Sequence, residues 1–448
     1  MASHLLRTQS AHSSLILEIM VSMQIRLSPF GESSTEPSPV NRMMTAFAHD
    51  FRDGFDINVG IGYVNEATIP ADLFTQALQA VAADPVTYRQ AFNYGGAAGS
   101  PNLIRSLRDF LIRHQIGGLD AATIARNELI IGPCGATSIL DALADVLPRG
   151  IIVTSDPNYY IYSETLERKG FRILAVPEDA DGPCLDTLQR KLHALGDDAA
   201  AISFFYFVTV NNPSCTILSN DRRRALLAVA SRLSRAQNRR IPIFFDLAYE
   251  LLLHDPAAPP FRSVLPIDDL EIAYEIGTLS KVLAPSLRIG YLLGPPGLFL
   301  NAMVQKTSDA GFSAPLFVQE MASYLLDHHI AGQLQAVNAG YREKALAVGD
   351  GIRRLLGAHL QECRGGSAGF YYYLTFRETR TEPGSPFFER LARPADPDQP
   401  RVLYIPGQYC VHPNGDLAGT GLRQLRLSYG FEDTPRILDA LDLMSQAL

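Results

Sequence analysis

The sequence predicts an α/β protein: a large, mostly parallel seven-stranded sheet with helices on both faces, and a smaller α+β domain after it. Two observations carry the large sheet. Between about residues 125 and 295, short β-branched or aromatic runs alternate with segments whose apolar residues recur at helical spacing. Several runs, such as AAISFFYF over 200–207, are apolar almost throughout, as strands buried on both faces are. A third observation marks the smaller domain: after Pro315 a long helical stretch gives way to aromatic strand candidates and a proline-rich loop.

Taken in order, the strand candidates are 128–131, 151–154, 172–176, 200–207, 241–245, 272–276 and 289–293. Amphipathic segments lie between them at 137–147, where Leu140, Leu143 and Leu147 recur, and at 161–169, 185–195 and 221–238. The later part reads as a long helical stretch from 316 to about 356, a strand at 369–376, and a loop at 377–400. Short strands near 402–405 and 425–428 and a final helix from Pro435 complete it. The implied division is a flexible extension over 1–40, the start of the small domain over 41–75, the large domain over 76–320, and the rest of the small domain over 321–448.

Composition narrows the function. The chain has 448 residues, 47% hydrophobic and 19% charged, with a net charge of −8. That acidic balance argues against a nucleic-acid partner. No run of roughly 20 apolar residues is present to span a membrane. Five cysteines, with no CxxC pair and no Cys/His ligand spacing, suit a reducing cytoplasm and no metal centre. Residues 15–23 are mostly apolar but interrupted by Glu18 and lack a clean cleavage site, a weak signal-peptide pattern that reads better as a flexible or partner-contacting extension, with Met20 or Met23 an alternative start.

In an open α/β sheet, ligands bind beyond the carboxyl ends of the strands. Four predicted strands end in polar clusters: Asp156-Pro157-Asn158-Tyr159, Asn211-Asn212-Pro213-Ser214, Asp246-Leu247-Ala248-Tyr249 and Thr278-Leu279-Ser280-Lys281, with Arg288 seven residues on. Gly135-Ala136-Thr137 stands between a strand and a helix, where backbone N–H groups bind phosphate. A lysine that forms an imine must first lose its proton, which takes burial or a nearby cation. Lys281 follows an apolar strand and precedes Arg288, which supplies both.

The string GTLSKVLAPSLRIGYLLGP over 277–295 resembles the lysine segment of class I/II aminotransferases, pyridoxal 5′-phosphate (PLP) enzymes of the aspartate aminotransferase superfamily. The similarity is greatest to the branch of 2-aminoadipate aminotransferases and the aminotransferase-like domains of certain bacterial regulators. NNPSCTILS, FFDLAYELL and NYGGAAGSPNLIRSL resemble further family segments, and LRQLRLSYG a fifth, in the family's order from about residue 57 to 430. The resemblance implies the PLP-dependent aminotransferase fold and a Schiff-base lysine at Lys281. It implies Asp246 on the pyridinium nitrogen, Tyr249 and Asn212 on the ring hydroxyl, and Tyr159 stacked on the ring. Gly135, Ala136, Thr137, Thr278, Ser280 and Arg288 would form the phosphate cup, with Tyr94 reaching in from the other subunit of a homodimer. Arg426 would clamp the substrate α-carboxylate, bidentate as guanidinium forks are.

Departures from the family pattern also matter. Cys215 stands where the family has glycine, a strained choice if the turn needs positive φ. Tyr63 and Asn65 replace a Gly-x-Pro segment and are candidate contacts for a substrate side chain. In Gly369-Phe370-Tyr371-Tyr372-Tyr373 only alternate residues can face a site, so at most two of the tyrosines are candidates. The expected activity is amino transfer between an α-amino acid and a 2-oxo acid. The alternative is elimination, replacement or C–C bond formation at the β or γ carbon on the same scaffold. A PLP-binding regulator domain is a third reading, disfavoured because the matched motifs begin near residue 57, leaving little room for a winged helix before them.

Overall fold

The structure is a computed structural model that describes residues 25–448. The expectation for residues 1–24 lies outside the described residues. From residue 25 on, the chain makes a helical turn at Pro29–Glu32 and a helix at Pro39–Ala48. Ser38 caps that helix and Pro39 occupies its first position, a strong start signal. Val40 is buried from it against Tyr160, Tyr373, Ile405 and Cys410.

Strand β1 (Ile57–Asn58) follows. Then come the strands of the large sheet: β2 (Glu128–Ile131), β3 (Ile151–Asp156), β4 (Arg172–Asp179), β5 (Gly182–Pro183), β6 (Ile202–Val208), β7 (Ile243–Asp246), β8 (Ala273–Thr278) and β9 (Gly290–Gly294). Their order is β2-β9-β8-β7-β6-β3-β4-β5. The seven expected strands are all present, with ends shifted by at most three residues, and the two-residue β5 adds a hairpin to β4. Strands β8, β7, β6, β3 and β4 are parallel neighbours, while β9 runs antiparallel to both β2 and β8.

The apolar runs explain themselves. Along β6 and β7, Phe205, Phe207, Ile243 and Phe245 join one core cluster, and Phe204, Tyr206 and Phe244 the other. Successive side chains thus point to opposite buried faces, so no polar alternation is needed. The helix Gly135–Val146 covers one face through Ile139, Leu140 and Leu143. The helix Asn220–Ala236 covers the other through Leu226, Leu227 and Ala230.

The second sheet is built from β10 (Leu360–Gly365), β11 (Tyr371–Phe376), β13 (Ile405–Pro406) and β14 (Gln424–Ser428), in the order β10-β11-β14-β13 and antiparallel throughout. Strand β12 (Val402–Leu403) pairs in parallel with β1, so the chain before residue 60 lies along the C-terminal part. Buried Asp56 ties them further, accepting from Arg52 and Arg401. Two expectations need correction. The helical stretch over 316–356 is interrupted at His329, giving two helices, Leu316–His328 and Ile330–Leu355. The loop over 377–400 contains the helix Pro386–Ala392, capped by Ser385 and buried through Phe387, Phe388 and Leu391. Among the described residues, no helix is long and apolar enough to cross a membrane.

Candidate active site

The parallel register sets Val208 beside Asp246 and Asp246 beside Ile276, so the ends of β6, β7 and β8 open on one edge. A cavity of about 330 Å³ lies there. Its floor and walls come from the turns after β3, β6, β7 and β8, from the start of the Gly135–Val146 helix, and from Tyr371 and Arg426 of the second sheet.

Lys281 lies inside this cavity, its Nζ donating to the Gly62 carbonyl at 3.1 Å. Burial first, then the Arg426 and Arg288 guanidiniums, bring its pKa down to about 8. The amine therefore yields the neutral form that attacks a carbonyl far more readily than an ordinary lysine. No acidic side chain forms a salt bridge with it among the described residues.

Below it is an anion cup. Gly135 opens its helix with φ +68 and donates its N–H to the Arg288 carbonyl at 2.7 Å. A Cβ on Gly135 would stand 2.9 Å from the Arg288 guanidinium, so glycine is required on both counts. Gly135 shapes the cup without lining the cavity, whereas Ala136 and Thr137 line it. Thr278 and Ser280 sit opposite, with Thr278 Oγ1 donating to the Ile289 carbonyl at 2.7 Å and accepting from the Ser280 N–H at 3.2 Å. Arg288 lines the same wall, its Nη2 donating to the Cys134 carbonyl at 3.1 Å.

Asp246 ends β7 as a buried carboxylate held only by neutral donors: the Tyr206 hydroxyl at 2.7 Å and the Ala248 N–H at 3.0 Å. Burial pushes its pKa up to about 6. A carboxylate so placed is stabilised by a cation arriving from the cavity. Tyr159 lines the cavity with burial raising its phenol pKa, and Tyr249 meets Tyr371 hydroxyl to hydroxyl at 2.9 Å.

Arg426 enters from β14, 2% exposed. Its Nη1 donates to Asn212 Oδ1 at 2.7 Å and its Nη2 to the Gly60 carbonyl at 2.6 Å. Its Nε is buried without a hydrogen-bond partner. The cavity thus presents an amine of lowered pKa, a helix start beside an arginine, a carboxylate lacking a cation, and a buried guanidinium. Those features fit an aldehyde, a phosphate, a protonated ring nitrogen and a carboxylate, the groups PLP and an amino acid bring.

Some expected residues fall elsewhere. Asn65 is not in the cavity: its Nδ2 donates to the Phe431 carbonyl at 2.8 Å and to Asp433 at 3.1 Å, and its Oδ1 accepts from the Ala67 N–H. An N-cap has claimed the side chain, which corrects its expected substrate role. Tyr63 does line the cavity and is 60% exposed, its ring edge-on to Phe431. Tyr94 is 75% exposed, against Phe312 and outside the cavity.

Cys215 does take positive φ, +50. It is buried, and its Sγ stands 2.8 Å from where a Cβ on Gly369 would be. Of the tyrosines at 371–373 only Tyr371 lines the cavity, since Tyr372 points away to the Ala345 carbonyl.

Three participants escape sequence reasoning. Tyr206 holds Asp246 from within an all-apolar strand. Tyr160, another lining residue, sits 6.3 Å from Tyr159, ring to ring. Glu178, buried, accepts from Asn211 at 2.7 Å and Ser214 at 2.8 Å and so braces the Asn212 turn. Burial raises its pKa to about 7. The spacing Tyr206–Asn212 carries no signal by itself, but a tyrosine inside an apolar strand is a hint that its hydroxyl has a buried partner.

Comparison with known proteins agrees with this geometry. The sequence pattern of the family "Aminotransferase class I and II" matches residues 64–394. An uncharacterized HTH-type transcriptional regulator of Bacillus subtilis is 23% identical over 378 residues, 84% of this chain and 70% of its own length. The 2-aminoadipate transaminase of Thermus thermophilus is 25% identical over 72% of this chain and 76% of its own. The chain spans a smaller share, 61%, of an uncharacterized aminotransferase of Saccharolobus solfataricus. Among solved structures, the multiple substrate aminotransferase of Thermococcus profundus superposes with a TM-score of 0.80 at 19% identity, over 94% of this chain and 96% of that one. The chain belongs to the class I and II aminotransferases, the PLP-dependent enzymes that transfer amino groups.

Proposed function

We propose that the protein moves an amino group between an α-amino acid and a 2-oxo acid, with PLP carried covalently on Lys281. The observation that carries this reading is the Lys281 amine, buried and brought to a pKa of about 8 between two arginines. When bound, the cofactor supplies an aldehyde and a ring that withdraws electrons from the substrate α-carbon. The chain does the rest. Asp246, oriented by Tyr206, keeps the ring nitrogen protonated. Tyr249 would donate to the ring oxygen and Tyr159 would cover the ring face, both lining the cavity.

Asn212 Oδ1 turns Arg426 toward the α-carboxylate and leaves the Asn212 amide N–H for the ring. Ala136, Thr137, Thr278, Ser280 and Arg288 would hold the phosphate, in a cup whose shape Gly135 sets. Once displaced, the Lys281 amine would take the proton from the substrate α-carbon and deliver it to the carbon that had been the cofactor's aldehyde, so that hydrolysis releases a 2-oxo acid and leaves the amino group on the cofactor. Tyr63 stands at the mouth, where a substrate side chain would pass.

The same reading makes the working form a homodimer, with Tyr94 of one copy completing the phosphate site of the other. Exposed Phe92, Tyr94 and Phe312, at 76%, 75% and 65%, are aromatic surface that a second copy would cover. The pairing of β1 with β12 supports grouping 41–75 with 321–448 around a large domain over 76–320. Five free thiols support a cytoplasmic location.

The test is a single turnover. PLP-loaded protein is mixed with an L-amino acid and no acceptor. One pyridoxamine phosphate and one 2-oxo acid per site are expected. Release of a side-chain group without pyridoxamine phosphate would instead indicate chemistry at the β or γ carbon.

A further inference from the structure

Tyr371 stands where the two working halves of the cavity meet. It opens β11, paired with Ser428 of β14, and is 1% exposed. The Arg426 guanidinium lies over its ring, 4.3 Å from the centroid. The ring is further held edge-on against Tyr249 at 5.6 Å and Phe370 at 4.8 Å. Its hydroxyl is 2.9 Å from the Tyr249 hydroxyl, and a Cβ on Gly62 would come within 2.7 Å of it. Gly62 is also the residue whose carbonyl holds Lys281 Nζ. A phenylalanine would keep these ring contacts, and the hydroxyl is what adds the hydrogen bond to Tyr249.

Hydrogen-bond counting gives that hydroxyl a task. A phenol has one proton to donate and two lone pairs to accept with. In the Tyr249–Tyr371 pair either oxygen can be the donor. If Tyr249 donated to Tyr371, its proton would be spent on that bond and not offered to a ligand oxygen. If Tyr371 donates, the Tyr249 proton is free to point at a ligand oxygen, and accepting a bond makes Tyr249 a stronger donor.

We propose that Tyr371 is a positioning residue that donates its hydroxyl proton to Tyr249 and so aims the Tyr249 proton at the ring oxygen of the bound cofactor, while its ring supports Arg426. The proposal rests on the reading of Lys281 and Tyr249 given above. It adds a link between the carboxylate clamp and the group that tunes the cofactor.

The test is a pH titration of visible absorbance in PLP-saturated protein: wild type, Tyr371→Phe, Tyr249→Phe and the double variant. Losing the imine proton leaves full negative charge on the ring oxygen, and a donor there favours that form. Tyr249→Phe therefore moves the protonation midpoint up. Tyr371→Phe should move it up by roughly a fifth as much, the share by which one hydrogen bond strengthens the next. Added to Tyr249→Phe, it should do nothing more.

A Tyr371→Phe protein that titrates at the wild-type midpoint overturns the proposal. So does a double variant whose shift is the sum of the two singles, because a packing defect would act whether or not Tyr249 had its hydroxyl. A wild-type protein with no pH-dependent chromophore is a different result: it removes the cofactor reading itself, and this proposal with it.

Discussion

Gly290 gives the sharpest structural prediction, because it lies outside the cavity and yet controls it. It starts β9, and a Cβ placed on it would stand 2.2 Å from the Ala136 nitrogen, 2.4 Å from the Gly135 carbonyl carbon and 2.8 Å from the Ala136 Cα. Ordinary contacts between such atoms are about 3.5 Å or more. In Gly290→Ala the helix start must therefore withdraw by about 1 Å, since backbone cannot swing aside as a side chain can. The overpacking itself should cost about 1–3 kcal/mol. The larger effect falls on the anion cup, whose N–H groups belong to the atoms displaced. Losing one hydrogen bond to a charged group costs about 1.5–3 kcal/mol, so PLP affinity should fall by roughly ten- to a hundredfold. Equilibrium dialysis with PLP measures this, and thermal unfolding without cofactor measures the packing cost. Gly332→Ala is the control, since nothing lies within 4 Å of a Cβ there. If Gly290→Ala bound the cofactor like wild type and melted at the same temperature, the claim that helix and strand touch through this glycine would be refuted.

Further outcomes follow from buried charge. Arg223 and Glu250 form a fully buried pair at 2.8 Å, also joined by Thr209, and brace the turn that carries Tyr249. Glu250→Gln should leave Arg223 stranded and lower stability by about 3–5 kcal/mol, read as a drop in the urea midpoint. Arg223→Met with Glu250→Leu should recover most of it. The rate of PLP loading should rise with pH through about 8, as the Lys281 ammonium loses its proton. Arg426 is one of the two cations that lower that pKa, so Arg426→Gln should move the rise to higher pH; an unchanged or lower midpoint in stopped-flow absorbance would contradict the electrostatic argument.

The large sheet was legible because its strands are apolar on both faces and end in polar clusters, so 151–154, 241–245 and 272–276 could be found by bulk hydrophobicity alone. Asp246, Lys281 and Thr278 were legible for the same reason: each directly ends or follows such a run. What pattern could not supply was direction. Tyr206 and Phe205 are adjacent and equally apolar in context, and only the pleat decides that Tyr206 meets Asp246. Asn65 read as a cavity residue, but a polar side chain at a turn has backbone N–H groups to satisfy first. The helix Pro386–Ala392 was hidden by surrounding prolines, although Ser385-Pro386 is itself a helix start. Gly290 could not be recognised from sequence, since its requirement comes from a helix more than 150 residues earlier.

One amine, at Lys281, stands inside the cavity where it can bond to an aldehyde. Lys344 is a built-in comparison: burial also brings its pKa to about 8, but its Nζ is engaged by the Glu432 carbonyl at 2.6 Å and lies outside the cavity. Protein saturated with PLP, reduced with borohydride and mapped by peptide mass spectrometry should carry one phosphopyridoxyl group per chain, on Lys281. Label on Lys344 in its place, or colourless protein with no adduct at all, would contradict the account.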